Sequence, residues 1–239
     1  MSLKAVVFDL DDTLYPEQSY VRSGFNAVAR TLEQVLGEPG DDLLGEMLTL
    51  LESNGRGRIF DLVLERRGCH DVQLVARLVE AYRNHMPEIR LDPAVPGVLA
   101  CLRGMGLKLG VLTDGLHVMQ SNKLKTLGVP ELVDIAICTD ELGGAACWKP
   151  SPVGFQKLLQ CLGVRADEVL FVGNDPTKDI EGARAVGMLA AQVAPLSTSV
   201  PPGVFCISQL SDLIPLVLSC VEKRQNVGPE ERQSCTNRS

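Results

Sequence analysis

The stretch Lys4-Ala5-Val6-Val7-Phe8-Asp9-Leu10-Asp11-Asp12-Thr13-Leu14 decides how the rest of the chain is read. Residues 4 to 8 are a β-branched and aromatic run closed at once by acidic residues, the pattern of a buried parallel strand with its C-terminal loop. Asp9 and Asp11 therefore leave the strand together at its carboxyl end, where open α/β sheets bind ligands. Two carboxylates held so close repel each other, and a divalent cation resolves the repulsion. Oxygen donors of this kind suit Mg²⁺, which takes one or two carboxylates and fills its shell with water and phosphate. The plainer reading makes Asp9, Asp11 and Asp12 caps of the following segment.

Beyond this stretch, residues 16–86 change character. Apolar residues recur at three- and four-residue spacing, as in Phe25, Val28, Ala29 and Leu32, and then in Leu43, Leu44, Met47, Leu48 and Leu51. Breaks at 37–40, 53–57 and 68–71 divide the stretch into about four amphipathic helices. After Pro93 and Pro96 strands return at 107–112, 135–138, 168–172 and 189–193, with a weaker one at 204–207. They alternate with helices at 118–127, 152–162, 180–186 and near 211–221. The expectation is an α/β fold with a Rossmann-like, mostly parallel sheet carrying helices on both faces. Residues 1–15 and 87–221 form this core, and residues 16–86 are a helical insertion. Residues 222–239 lack apolar periodicity and are expected to be a disordered tail.

Composition narrows the function. The 239 residues carry a net charge of -7 and a sequence pI near 5.1, which argues against nucleic acid or an anionic membrane as partner. No GxGxxG follows the first strand, which removes a dinucleotide-binding dehydrogenase. The 8 Cys show no CxxC pair or regular spacing, so zinc and a disulfide framework are not indicated. Most are expected to be buried thiols in a reducing compartment, and the early charge after a very short N-terminus fits a cytoplasmic protein. His70, His85 and His117 lack ligand spacing.

Three later segments join the first: Val111-Leu112-Thr113 at a strand end, Lys149-Pro150, and Gly173-Asn174-Asp175-Pro176-Thr177-Lys178-Asp179. With Asp9, Asp11 and Thr13 in the DxDxT pattern, these four motifs in order resemble the haloacid dehalogenase-like hydrolase superfamily, over about residues 4–220. The capped branch is the nearest match, with residues 16–86 resembling its mobile helical cap. The resemblance implies a phosphatase in which Asp9 is the nucleophile and Asp11 donates and then accepts the proton. Thr113 and Lys149 would hold the transferring oxygens, and Thr13 would belong to the substrate-binding set. Mg²⁺ would sit on Asp9, Asp11 and either Asp175 or Asn174, since Asn174 stands where relatives place the metal-binding Asp. Asp179 would order metal-bound waters or Lys149.

Asp114 replaces the usual Asn, leaving the Asp114 and Gly115 amides to face the anion. Arg56 and Arg58 are the candidates for substrate recognition from the cap, against a plain interhelical turn with solvated arginines. Gln120, Lys123 and Trp148 are open to equally bland readings. The implied substrate is a small phosphorylated metabolite, with a sugar or sugar-acid phosphate ahead of a nucleotide. A phosphosugar mutase or a non-catalytic relative remains an alternative, and the assembly is expected to be a monomer or homodimer.

Overall fold

The computed structural model describes residues 3–222, so almost all of the expected tail lies outside the described residues. Strand β1 (Ala5–Phe8) is followed by four helices, α1 (Glu17–Leu36), α2 (Gly40–Asn54), α3 (Ile59–Glu65) and α4 (Val72–Asn84). Then come α5 (Val95–Gly104), β2 (Lys108–Thr113), α6 (His117–Thr126), α7 (Val129–Leu132), β3 (Ile135–Cys138) and α8 (Pro152–Leu162). The chain closes with β4 (Val169–Gly173), α9 (Gly182–Ala185), β5 (Leu189–Val193), β6 (Val204–Ile207) and α10 (Leu213–Glu222). All strand pairings are parallel, in the order β3-β2-β1-β4-β5-β6.

The two-residue period of β1 explains why both faces of the sheet are covered. Val6 and Phe8 join Val111 and Val172 in a buried cluster with Val98 and Leu102 of α5, Leu124 of α6 and Val217 of α10. Ala5 and Val7 point the other way, to Phe155, Leu158 and Leu162 of α8. The four helices after β1 have a separate apolar cluster, built on Phe25, Val28, Leu32, Met47, Val63 and Leu78. Arg67, just after α3, bonds Glu38 in the connection between α1 and α2 through two nitrogens, at 2.6 and 2.7 Å.

The expected α/β architecture is present, with three local differences. Residues 95–104 form α5, although Pro93 and Pro96 read as breaks: Pro96 lies in the first turn, where a missing N–H costs nothing. The expected helix at 180–186 starts earlier, as a π-helical segment Pro176–Glu181, because the Asp175 side chain accepts the amides of Thr177 and Lys178. The cysteines are less buried than expected. Cys138 alone among the free thiols at 69, 101, 138, 147, 161 and 206 is buried, and Cys101 and Cys161 are exposed, because they fall on outward positions of their helices.

Candidate active site

The chain runs β1-β2-β3 in one direction and β4-β5-β6 in the other, so β1 lies at the topological switch with β2 and β4 on its flanks. Loops leaving the carboxyl ends of these strands open a crevice there. The Asp9 amide still donates to Val172 O at 2.9 Å, so Asp9 remains in sheet register before the chain turns away. Asp12 then takes a left-handed φ of 54°, a conformation Asp tolerates, and its Oδ1 accepts the Glu17 amide at 2.7 Å. That turn directs the chain into α1.

Two buried polar networks face one another across a cavity of about 400 Å³. In the first, Lys149 Nζ donates to Asp9 Oδ1 at 2.5 Å and to Asp179 Oδ1 at 2.6 Å. Asp9, Lys149 and Asp179 are 7%, 5% and 2% exposed. Asp179 Oδ2 accepts the Asp175 amide at 3.0 Å, and a Cβ at position 173 would collide with the Asp179 carboxylate, so Gly173 is what lets this side chain reach Lys149. Burial pushes the Asp9 carboxyl up to about 7, against the pull of Lys149, while Asp179 and Asp11 push it further up. Burial pushes the Lys149 ammonium down, but Asp9, Asp179 and Asp114 more than offset this and raise it overall.

In the second network Lys123 Nζ donates to both oxygens of Asp11, at 2.7 and 2.9 Å. Gln120 Nε2 donates to Asp11 Oδ2 at 3.0 Å and to Thr113 Oγ1 at 2.5 Å, and the Tyr15 hydroxyl donates to Asp11 Oδ1. Asp114 Oδ1 accepts from Thr139 Oγ1 at 2.7 Å and from the Lys149 amide at 3.0 Å, so it braces the loop that carries Lys149. The other Asp114 oxygen is buried and has no partner among the described residues. Trp148 Nε1 anchors the same loop on Asp140 Oδ1 at 3.2 Å.

Asp9, Asp11, Arg56, Asp114, Gly115, Lys149, Asn174, Asp175 and Asp179 all line the cavity. Three residues expected in the site lie elsewhere. Thr113 is fully buried beneath Gln120. Thr13 lines a different cavity beside Asp92 and Gln209, and its hydroxyl is buried without a partner among the described residues. Arg58, at a left-handed φ of 36°, turns to Glu65 at 2.6 Å, whereas Arg56 reaches the cavity rim and bonds Glu17 at 2.5 Å.

Conversely, Gln120 and Lys123 fit a solvated helix face by sequence but are 1% and 3% exposed. Their spacing of three on the helix that follows Thr113 was the available signal, since it places both on one side of α6.

The charge balance of the cavity bears on metal binding. Asp9, Asp11, Asp12, Glu17, Asp114, Asp175 and Asp179 line it against Arg56, Lys123, Lys149 and Lys178, seven carboxylates against four cations. A phosphate dianion entering such a wall needs additional positive charge. Among the described residues no three His, Cys, Asp or Glu converge into an all-protein metal cage. The donors instead fit an open Mg²⁺ site with few protein ligands. Lys149 engages Oδ1 of Asp9, and the Thr177 and Lys178 amides engage Oδ1 of Asp175, which leaves Oδ2 of each carboxylate for a cation. Asn174 lies beside them on the cavity wall.

A buried carboxylate and ammonium array at the switch point of a parallel sheet, with a second carboxylate two residues on, defines a hydrolase built for phosphoryl groups. The family model of haloacid dehalogenase-like hydrolases matches residues 3–187. A glyceraldehyde 3-phosphate phosphatase of Methanopyrus kandleri is 36% identical over 200 residues, covering 80% of this chain and 84% of that protein. A phosphoglycolate phosphatase of Yersinia pseudotuberculosis is 30% identical over 193 residues, with 78% of each chain covered. The crystal structure of a phosphatase of the family from Thermococcus onnurineus superposes with a TM-score of 0.61 at 25% identity, covering 90% of this chain and 98% of that one. The chain belongs to the haloacid dehalogenase-like hydrolases and is a phosphatase within that family.

No helix among the described residues is long and apolar enough to cross a membrane.

Proposed function

We propose that this protein is a Mg²⁺-dependent phosphomonoester hydrolase that acts on a small phosphorylated metabolite, with a sugar or sugar-acid phosphate favoured, through an aspartyl-phosphate. The observation that carries the reading is the buried Asp9–Lys149–Asp179 array opening on the same cavity as Asp11. The relatives named for phosphorylated three-carbon and two-carbon compounds support a small substrate.

In the proposed first step an Asp9 carboxylate oxygen attacks phosphorus, the bond from phosphorus to the alcohol oxygen breaks, and Asp11 gives the departing oxygen a proton. In the second, water attacks the acyl-phosphate phosphorus, Asp11 takes the water proton, and Asp9 is released with inorganic phosphate. Lys149 lies against Asp9, where its ammonium stabilises charge on the phosphoryl oxygens, and Asp114 and Gly115 line the same cavity. Thr113 acts one layer behind, by holding Gln120, and Asp179 holds Lys149.

Asp9 and Asp175 would hold Mg²⁺, with Asn174 as the alternative oxygen donor, while Lys123 and Gln120 position the Asp11 side chain for its proton transfers. A cation held there would supply positive charge to offset the negative charge of the phosphoryl group and of the Asp9 carboxylate. The helices α1–α4 act as a cap that excludes water and presents Arg56 to the substrate.

The test is phosphate release from a panel of phosphomonoesters with Mg²⁺, for wild type, Asp9→Asn and an EDTA control. Turnover lost in both controls supports the reading. Interconversion of sugar phosphates without phosphate release would assign a mutase, and turnover that survives Asp9→Asn would refute the nucleophile.

A further inference from the structure

Lys123, which holds the Asp11 carboxylate, is itself buried. It is 3% exposed, and its ammonium donates to both oxygens of Asp11, at 2.7 and 2.9 Å. An ammonium carries three N–H donors, and among the described residues no other oxygen accepts from Lys123 Nζ. Taking a cation out of water costs more than one ion pair reliably returns, so a further partner matters here. The partner is a ring. Lys123 Nζ lies over Tyr20, 4.2 Å from the ring centroid, where the π face carries negative charge.

Tyr20 stands near the start of α1, yet of the buried apolar side chains on α1–α4 it is the one that joins the cluster of the sheet. It is 1% exposed, and its ring is held edge-on by Tyr82 at 5.9 Å and at a tilt by His85 at 4.9 Å. The end of α4 is fastened to α6 at the same level. Asn122, next to Lys123, donates Nδ2–H to the carbonyls of Asn84 and His85, at 3.4 and 3.1 Å. The Tyr20 ring therefore keeps its place over Lys123 only while α1 and the end of α4 are seated against α6. Contacts run without a gap from the inserted helices through Tyr20 and Lys123 to Asp11.

We propose that Tyr20 is a positioning residue for the proton transfers: its ring face holds Lys123, and through Lys123 it keeps the Asp11 carboxylate aligned in the cavity it shares with Asp9. The inserted helices thereby align a group that belongs to the sheet. This rests on the phosphatase reading and deepens it. The Tyr20 hydroxyl makes no bond among the described residues, so the ring alone carries the effect.

The experiment measures kcat and KM with Mg²⁺ for glycerol 3-phosphate, whose alkoxide needs a proton to leave, and for 4-nitrophenyl phosphate, whose phenolate does not. The variants are Tyr20→Phe, Tyr20→Leu, and pentafluorophenylalanine at position 20, which keeps the shape of the ring and removes its negative face. Tyr20→Phe should stay within about twofold of wild type on both esters. Tyr20→Leu and the fluorinated ring should lower kcat for glycerol 3-phosphate about tenfold or more, with KM and the 4-nitrophenyl ester within about threefold. In a Lys123→Met background, Tyr20→Leu should cost nothing further. Reductive methylation of the Lys123 amine, read by peptide mass spectrometry, needs no turnover and should rise in the Leu and fluorinated variants. Wild type inert on both esters would refute the phosphatase reading, while that rise in labelling would still uphold the hold of Tyr20 on Lys123. Equal losses on the two esters, an undiminished effect of Tyr20→Leu beside Lys123→Met, or labelling indifferent to the ring would overturn it.

Discussion

Lys149 carries two contacts that no other side chain supplies, one to Asp9 and one to Asp179, inside a region almost closed to water. Lys149→Ala leaves two buried carboxylates without their cation. The expected result is a fall in kcat of about 10²–10³-fold with a stability loss of about 3–5 kcal/mol, read from steady-state kinetics and urea unfolding. Asp179→Asn, which keeps an oxygen for Lys149, should lose less on both.

A different residue sets an acid limit on stability. His85 donates Nδ1–H to Tyr82 O at 2.6 Å, while its Nε2 is buried without a partner among the described residues. Burial lowers its pKa from 6.5, the Tyr82 carbonyl opposes this, and Lys123 adds to the fall. The unfolded chain therefore takes up a proton near 6.5 that the folded chain refuses. The His85 contribution is full above that pH and is lost as pH falls through the lower folded value. Urea midpoints from pH 7.5 to 5.5 should drop in wild type and drop less in His85→Gln.

Motif position told more at this scale than residue type. The sequence placed Asp9, Asp11, Lys149 and Asp179 near one strand end, and they share one cavity. It could not show that Thr113 is covered by Gln120, because coverage depends on how α6 packs back over β2.

At the scale of elements, strand ends supply the reacting groups and short helices brace them. α9 packs beneath the loop that holds Lys149. A Cβ on Gly182 would come within 2.9 Å of the Phe155 ring and 3.1 Å of the Pro150 backbone. Gly182→Ala should therefore shift that loop, lowering kcat/KM and costing about 1–3 kcal/mol of stability. Leaving both unchanged would show the loop to be independent of α9.

The alternation of strands and helices was legible because buried parallel strands read as short β-branched runs. α5 was not, since Pro93 and Pro96 look like breaks until Pro96 sits in a first turn. The π-helical start before α9 was equally hidden, because it depends on the Asp175 side chain capping two amides.

For the whole molecule, the sheet and the four inserted helices bury separate apolar clusters, and Tyr82 packs against both. The proposed cap motion needs such a division, with each body rigid and the junction small. Hydrogen exchange should show α1–α4 opening as a unit at lower free energy than β1, β2 and β4. Vanadate with Mg²⁺ should slow exchange at 17–24 and 56–60, and uniform protection across the chain would contradict a moving cap.

The central claim is the covalent role of Asp9. The direct measurement is borohydride reduction during turnover followed by peptide mass spectrometry, since the hydride converts an aspartyl-phosphate to homoserine. The account expects homoserine at position 9, dependent on substrate and absent in Asp9→Asn enzyme. Phosphate released with Asp9 unmodified under conditions that trap acyl phosphates, or homoserine at position 11 or 175 instead, would contradict it.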